Sequence, residues 1–205
     1  SNAALINLKL TEGALQDADA TNDVIATTAV ITLEDANDSG DDVGTLLSPI
    51  HTSVDDLTIF TSAGSVFGSQ FIREANGLTQ INLDSRAALI DLKLTEGTLR
   101  DSDAADDVIA TTAVITLEDA NDSGDDVGTL LNPIHTSVDD LTVFTSAGSF
   151  FGNQFLREAN GLVRINLDSN SALINLKLTE GALQDADASN DVIAITAVIT
   201  LEDAN

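Results

Sequence analysis

Five carboxylates and an Asn amide fall within ten residues in the run Leu33-Glu34-Asp35-Ala36-Asn37-Asp38-Ser39-Gly40-Asp41-Asp42. Hard cations such as calcium take about six to eight oxygen ligands, and a short acidic loop with a glycine can wrap several of them around one ion. Glu34, Asp35, Asn37, Asp38, Asp41 and Asp42 are therefore candidate ligands. The same run returns from Leu117, bringing Glu118, Asp119, Asn121, Asp122, Asp125 and Asp126, and a third copy opens at Leu201 and stops at Asn205. A run of acids is also what a solvated, self-repelling segment looks like. What favours an ion is position, because each run follows a β-like stretch at an apparent joint between repeated units.

Carboxylate pairs can also do acid–base work, yet every candidate recurs in the next repeat. That suits a structural device copied along a fibre better than an active site. His51 and His135 are the only histidines, one per repeat, each beside Pro-Ile in an expected loop and read as solvent-facing or capping. No Gly-x-Ser-x-Gly element supports a nucleophile. Ser62 to Gly68 has glycines but no Lys, so it reads as a turn rather than a phosphate loop. The glycine-rich calcium nonapeptide of β-rolls is absent. The chain is expected not to be an enzyme.

Composition narrows the partners. The formal charge of −26, with 34 Asp and Glu against 8 Lys and Arg, leaves no basic footprint for nucleic acid or an anionic membrane. Self-repulsion at that density destabilises a compact state unless cations neutralise it. Seven Phe with no Trp, Tyr, Met or Cys leave a core of Leu, Ile, Val and Ala, without a disulfide or thiolate site. Ser1-Asn2-Ala3 reads as the scar of a cleaved expression tag.

The elements that must position the acids repeat. Ala4 to Gly13 returns as Ala88 to Gly97 and as Ala172 to Gly181, a period of 84 by subtraction. A period of that length exceeds the roughly 20–50 residues of a solenoid coil and suits tandem small domains. Leu5 to Leu10 alternates apolar and polar residues, as a half-buried strand does. Val24 to Leu33, Val43 to Leu47 and Leu57 to Thr61 read as further strands, with Pro49 and His51 in a loop. Gln70 to Leu83 holds two β-like runs around Asn76-Gly77, a hairpin signal. Helical spacing is missing throughout. Several short strands with turn residues between them point to an all-β fold, an antiparallel Greek-key β-sandwich in tandem.

Read from one acidic run to the next, 39–122 resembles a cadherin-like, Ig-like repeat of large bacterial surface and adhesin proteins. The likeness rests on Val43-Gly44-Thr45-Leu46, Leu57-Thr58-Ile59-Phe60, Phe71-Ile72 with Asn76-Gly77, then Ala88 to Leu94 and Thr112 to Leu117 running into Glu118-Asp119-Ala120-Asn121-Asp122. The resemblance implies domains at 39–122 and 123–205, preceded by a partial repeat at 4–38 holding the last two strands of an upstream domain. It implies calcium ligands at Asp35, Asn37 and Asp38 and at Asp119, Asn121 and Asp122. A following acidic loop would add Glu96, Asp101 and Asp103, and in its copy Glu180, Asp185 and Asp187.

The expected function is that of a spacer in a secreted or cell-surface bacterial adhesin, stiffened by calcium at the joints. Its partners are neighbouring repeats of the same chain, with the partial repeat open to pairing between chains, and without nucleic acid or membrane insertion in this segment. Two alternatives stand beside it: an acidic spacer adapted to salt without specific ion sites, and an adhesive module that binds a glycan or protein.

Overall fold

A computed structural model describes residues 3–34, 41–63, 67–118, 125–147, 151–185 and 188–202. The first period gives β1 (Ala3–Leu10), β2 (Val24–Glu34), β3 (Ile50–Ser53), β4 (Asp56–Ala63), β5 (Gln70–Glu74) and β6 (Gln80–Asp84). The second gives β7 (Leu89–Leu94), β8 (Val108–Ile109), β9 (Thr112–Glu118), β10 (Ile134–Ser137), β11 (Asp140–Ala147), β12 (Gln154–Glu158) and β13 (Arg164–Asp168). The third begins with β14 (Leu173–Leu178), β15 (Val192–Ile193) and β16 (Thr196–Leu201).

Every ladder among these strands is parallel, and no strand pairs with its successor except β1 with β2 and β2 with β3. One stack runs β2, β4, β6, β8, β10, β12, β14, β16, with β1 below it, and the other runs β3, β5, β7, β9, β11, β13, β15. β2 belongs to both. Its start, Val24 and Ile25, pairs with β3, while Thr28 onward pairs with β4, and in the second period the same stretch is divided into β8 and β9. Successive strands thus alternate between two facing stacks, so two strands make one turn of a parallel β-solenoid.

Inward-facing aliphatic side chains stack in register along the axis. Ile50, Ile72, Leu92, Ile115, Val143 and Leu167 form one such ladder and are all buried. Each burial contributes about 1.5–3 kcal/mol, and repeating it turn after turn lets a chain without Trp or Tyr hold a continuous core.

The expected antiparallel Greek-key β-sandwich is therefore corrected to an all-parallel solenoid, and the cadherin-like resemblance falls with it. Alternation of apolar residues specifies a strand and its buried face but not the direction of its neighbour. From β8 to its copy β15 the chain passes seven strands, so the 84-residue period spans three and a half turns averaging 24 residues. The period exceeded a solenoid coil because it contains several. Asn76-Gly77 closes no hairpin, since β5 pairs with β3 and β7 while β6 pairs with β4 and β8. A Cβ on Gly77 would lie 2.8 Å from the Thr98 backbone, so this glycine permits close approach of the next turn. His51 lies on a strand, β3, and Val43 makes only isolated bridges, to Leu15 and Gln70.

Candidate functional site

Two clusters gather ligand-bearing side chains where the chain crosses between stacks. Asp17, Asp23 and His51 offer atoms within 4.8 Å of one another, as do Asp101, Asp103 and Asp107. The clusters lie at equivalent places one period apart, since 17, 23 and 51 plus 84 are 101, 107 and 135, but the second trio holds Asp103 where the first holds the histidine.

The turn length builds the site. Asp107 and His135 lie 28 residues apart on adjacent turns, where the Asp107 N–H donates to the His135 carbonyl at 2.8 Å. The His135 N–H donates back to Asp107 Oδ2 at 2.7 Å. Asp23 and His51 repeat the exchange at 2.8 and 3.0 Å. These bonds pin each imidazole against the carboxylates of the turn before it. His135 Nδ1 sits 3.7 Å from Asp107 Oδ2, and His51 Nδ1 sits 3.6 Å from Asp17 Oδ2 and 4.0 Å from Asp23 Oδ2. Both Nδ1 atoms are buried and neither has a hydrogen-bond partner.

Asp101 is buried, its Oδ2 accepting the Asp103 N–H at 2.7 Å, and Asp103 Oδ1 accepts the Ala105 N–H at 2.7 Å. Only Asp103 of this trio is exposed. Burial pushes Asp107 up to about 8, helped by the negative charges of Asp101, Asp103 and Asp106 and opposed by its bond from the His135 N–H. Asp23 is raised for the same first reason, with Asp17 adding to the shift. Burial and the neighbouring carboxylates thus favour the protonated form unless a positive charge lies among them.

The other sequence candidates are spread along the turns. Asp35, Asn37, Asp38, Asp119, Asn121, Asp122 and Asp187 lie outside the described residues. Asp41 Oδ2 accepts the Gly13 N–H at 2.9 Å and Asp42 Oδ1 the Ser69 N–H at 2.7 Å, tying one turn to those on either side. Asp125 and Asp126 do the same with Gly97 at 3.0 Å and Asn153 at 2.7 Å. Glu34 pairs with Lys9 at 2.7 Å and Glu118 with Arg73 at 2.9 Å. Glu96, Glu180 and Asp185 are exposed. Among the described candidates, only Asp101 and Asp103 come together in a cluster.

Sequence reasoning passed over Asp17, Asp23, Asp107 and both histidines. The signal was the 28-residue separation shared by Asp23 with His51 and Asp107 with His135, which becomes a contact once it equals one turn. A cleft of about 270 Å³ adjoins the first cluster, lined by His51, Phe71, Arg73, Asp91 and Lys93 beside the Leu46-Leu47 loop. Its counterpart, beside Leu130, is lined by Phe155, Arg157, Asn175 and Lys177. Comparison with known family models, curated proteins and solved structures returned no match.

Proposed function

We propose that the chain is a non-enzymatic structural spacer, a length of rod from a secreted or cell-surface adhesin, with divalent cations held at its acidic edges. The observation that carries this reading is the odd strand count of the repeat. Seven strands per 84 residues send each copy of a cluster to the opposite stack and the opposite edge, three and a half turns further on. The clusters and clefts recur with the fold itself, as a device copied along a fibre does.

Calcium is the cation this reading places along the solvent-facing carboxylates. Extracellular modules bind it at about 0.1–1 mM, and ligand at about ten to a hundred times that constant stabilises by roughly 1.4–2.7 kcal/mol per site. The partners are the adjoining turns of the same chain. No helix among the described residues is long and apolar enough to cross a membrane.

Thermal unfolding in EDTA, followed by calcium titration with magnesium and matched sodium chloride as controls, tests the reading. The midpoint is expected to rise and saturate near millimolar calcium. Equal stabilisation by sodium chloride would make the acidity an adaptation to salt and remove the ion from the mechanism.

A further inference from the structure

We propose that Asp101, Asp103, Asp107 and His135, and in the preceding period Asp17, Asp23 and His51, bind a divalent first-row transition metal such as zinc through carboxylate oxygens and the histidine Nδ1. The inference deepens the spacer reading, resting on it only for the idea that ions clip the turns, and it names a different ion class for this site.

The imidazole carries the argument. His135 is 8% exposed, and its Nδ1 is buried without a hydrogen-bond partner. A buried polar atom left unsatisfied is costly and calls for a partner. Its nearest charged neighbour, Asp107 Oδ2, lies 3.7 Å away, too far for a hydrogen bond. It is close to the separation of about 3.3 Å between two ligands on one tetrahedral ion with bonds of about 2.0–2.1 Å. One period earlier His51 Nδ1, also buried and unpartnered, lies 4.0 Å from the equivalent Asp23 Oδ2 and 3.6 Å from Asp17 Oδ2. The same ring atom is left open in both copies.

The carboxylates around it are held by backbone N–H groups, Asp101 Oδ2 from Asp103 and its Oδ1 from Ile81 at 3.4 Å, and Asp107 Oδ2 from His135. These bonds orient the side chains, and the three carboxylates offer oxygens within 4.8 Å of one another. Calcium prefers an all-oxygen shell. Imidazole with carboxylate suits zinc and its neighbours in the first row. Because Asp107 and His135 belong to adjacent turns, the bound ion cross-links them, and a structural metal contributes its binding energy to the fold.

The third period keeps Asp185 and Asp191, but no histidine follows them in this sequence. The chain should therefore take two zinc ions with full ligand sets. Isothermal calorimetry of zinc into chelator-treated protein tests this, with calcium as the competing titrant and cobalt absorption as a report of nitrogen coordination. The expected stoichiometry is two per chain, falling to one in His51→Gln or His135→Gln and to none in the double variant. Zinc should bind at least tenfold more tightly than calcium. Asp103→Asn, at an exposed position that leaves the core intact, should weaken one of the two sites about tenfold.

Zinc uptake unchanged in the double variant, or calcium competing at equal concentration, would overturn the assignment. So would the absence of zinc uptake by the wild-type chain. A rod that keeps its length and its calcium response but takes up no zinc loses this site alone. Small-angle scattering inconsistent with a rod removes the spacer reading and leaves the zinc result standing.

Discussion

At the scale of single residues, two buried glutamates set a pH dependence that the net charge alone does not explain. Glu158 accepts hydrogen bonds from Thr136 Oγ1 at 2.5 Å, from the Val138 N–H at 3.2 Å and from the Asn160 N–H at 3.1 Å. Glu74 holds the equivalent bonds from Thr52, Val54 and Asn76 one period earlier. Burial outweighs these donors and pushes Glu158 up to about 7 from its ordinary 4.5, and raises Glu74 as well. Below about pH 4.5 the group is protonated in both folded and unfolded chains. As pH rises, the unfolded chain releases its proton first, so stability falls through the window and levels off above about 7. One such shift is worth about 3 kcal/mol. Chemical denaturation at pH 5 and pH 8 is expected to show higher stability at pH 5, with the difference reduced in Glu158→Gln. Glu74 and Glu158 went unremarked in the sequence because a polar residue does not announce itself as inward-facing. They alternate in phase with Gln70 and Ile72, and with Gln154 and Leu156, on the buried face of their strands.

At the scale of elements, the solenoid depends on glycines where one turn touches the next. A Cβ on Gly68 would lie 1.7 Å from the Asp41 carbonyl oxygen, and one on Gly152 would lie 1.6 Å from that of Asp125. Backbone meets backbone there, so no rotamer change relieves the overlap. Gly68→Ala or Gly152→Ala is expected to destabilise the chain by about 4 kcal/mol or more, measured by urea unfolding. Gly13→Ala makes the contrast. Its φ of 87° strains an alanine, but nothing lies within 4 Å of the added Cβ, so a cost of about 1–2 kcal/mol is expected. Several strands were legible, although Val43 to Leu47 forms none and β3 lies where a loop was expected. Leu5 to Leu10 and Val24 to Leu33 match β1 and β2 within a few residues, and the conservative exchanges Ile59 to Val143 and Ile72 to Leu156 mark fully buried positions. Direction was not legible, because a half-buried strand reads the same beside a parallel or an antiparallel neighbour. Val108-Ile109 and Ile134-Ser137 are too short to announce themselves, and without them the strand count that reveals three and a half turns cannot be made.

At the scale of the whole molecule, the half-turn in the repeat decides where chemistry can appear. Asp17 and Asp23 lie on the crossing from β1 to the start of β2, and Asp101, Asp103 and Asp107 on the crossing from β7 to β8. These crossings run in opposite directions between the stacks, so consecutive copies of one site face opposite edges. A period of eight strands would have lined them along a single edge. The same counting sets the length. Neighbouring strands in a sheet lie about 4.8 Å apart, so three and a half turns add about 17 Å along the axis. A compact domain of 84 residues joined end to end would instead add about 30 Å. A chain lengthened by one further 84-residue period, inserted in phase after Asp84, should show a maximum dimension about 17 Å greater in small-angle scattering, with an unchanged cross-section. An increment near 30 Å, or a scattering curve with the signature of separate beads, would mean that the periods fold as independent bodies, and the continuous ladder of Ile72, Leu92, Ile115 and Val143 would have to be broken between them.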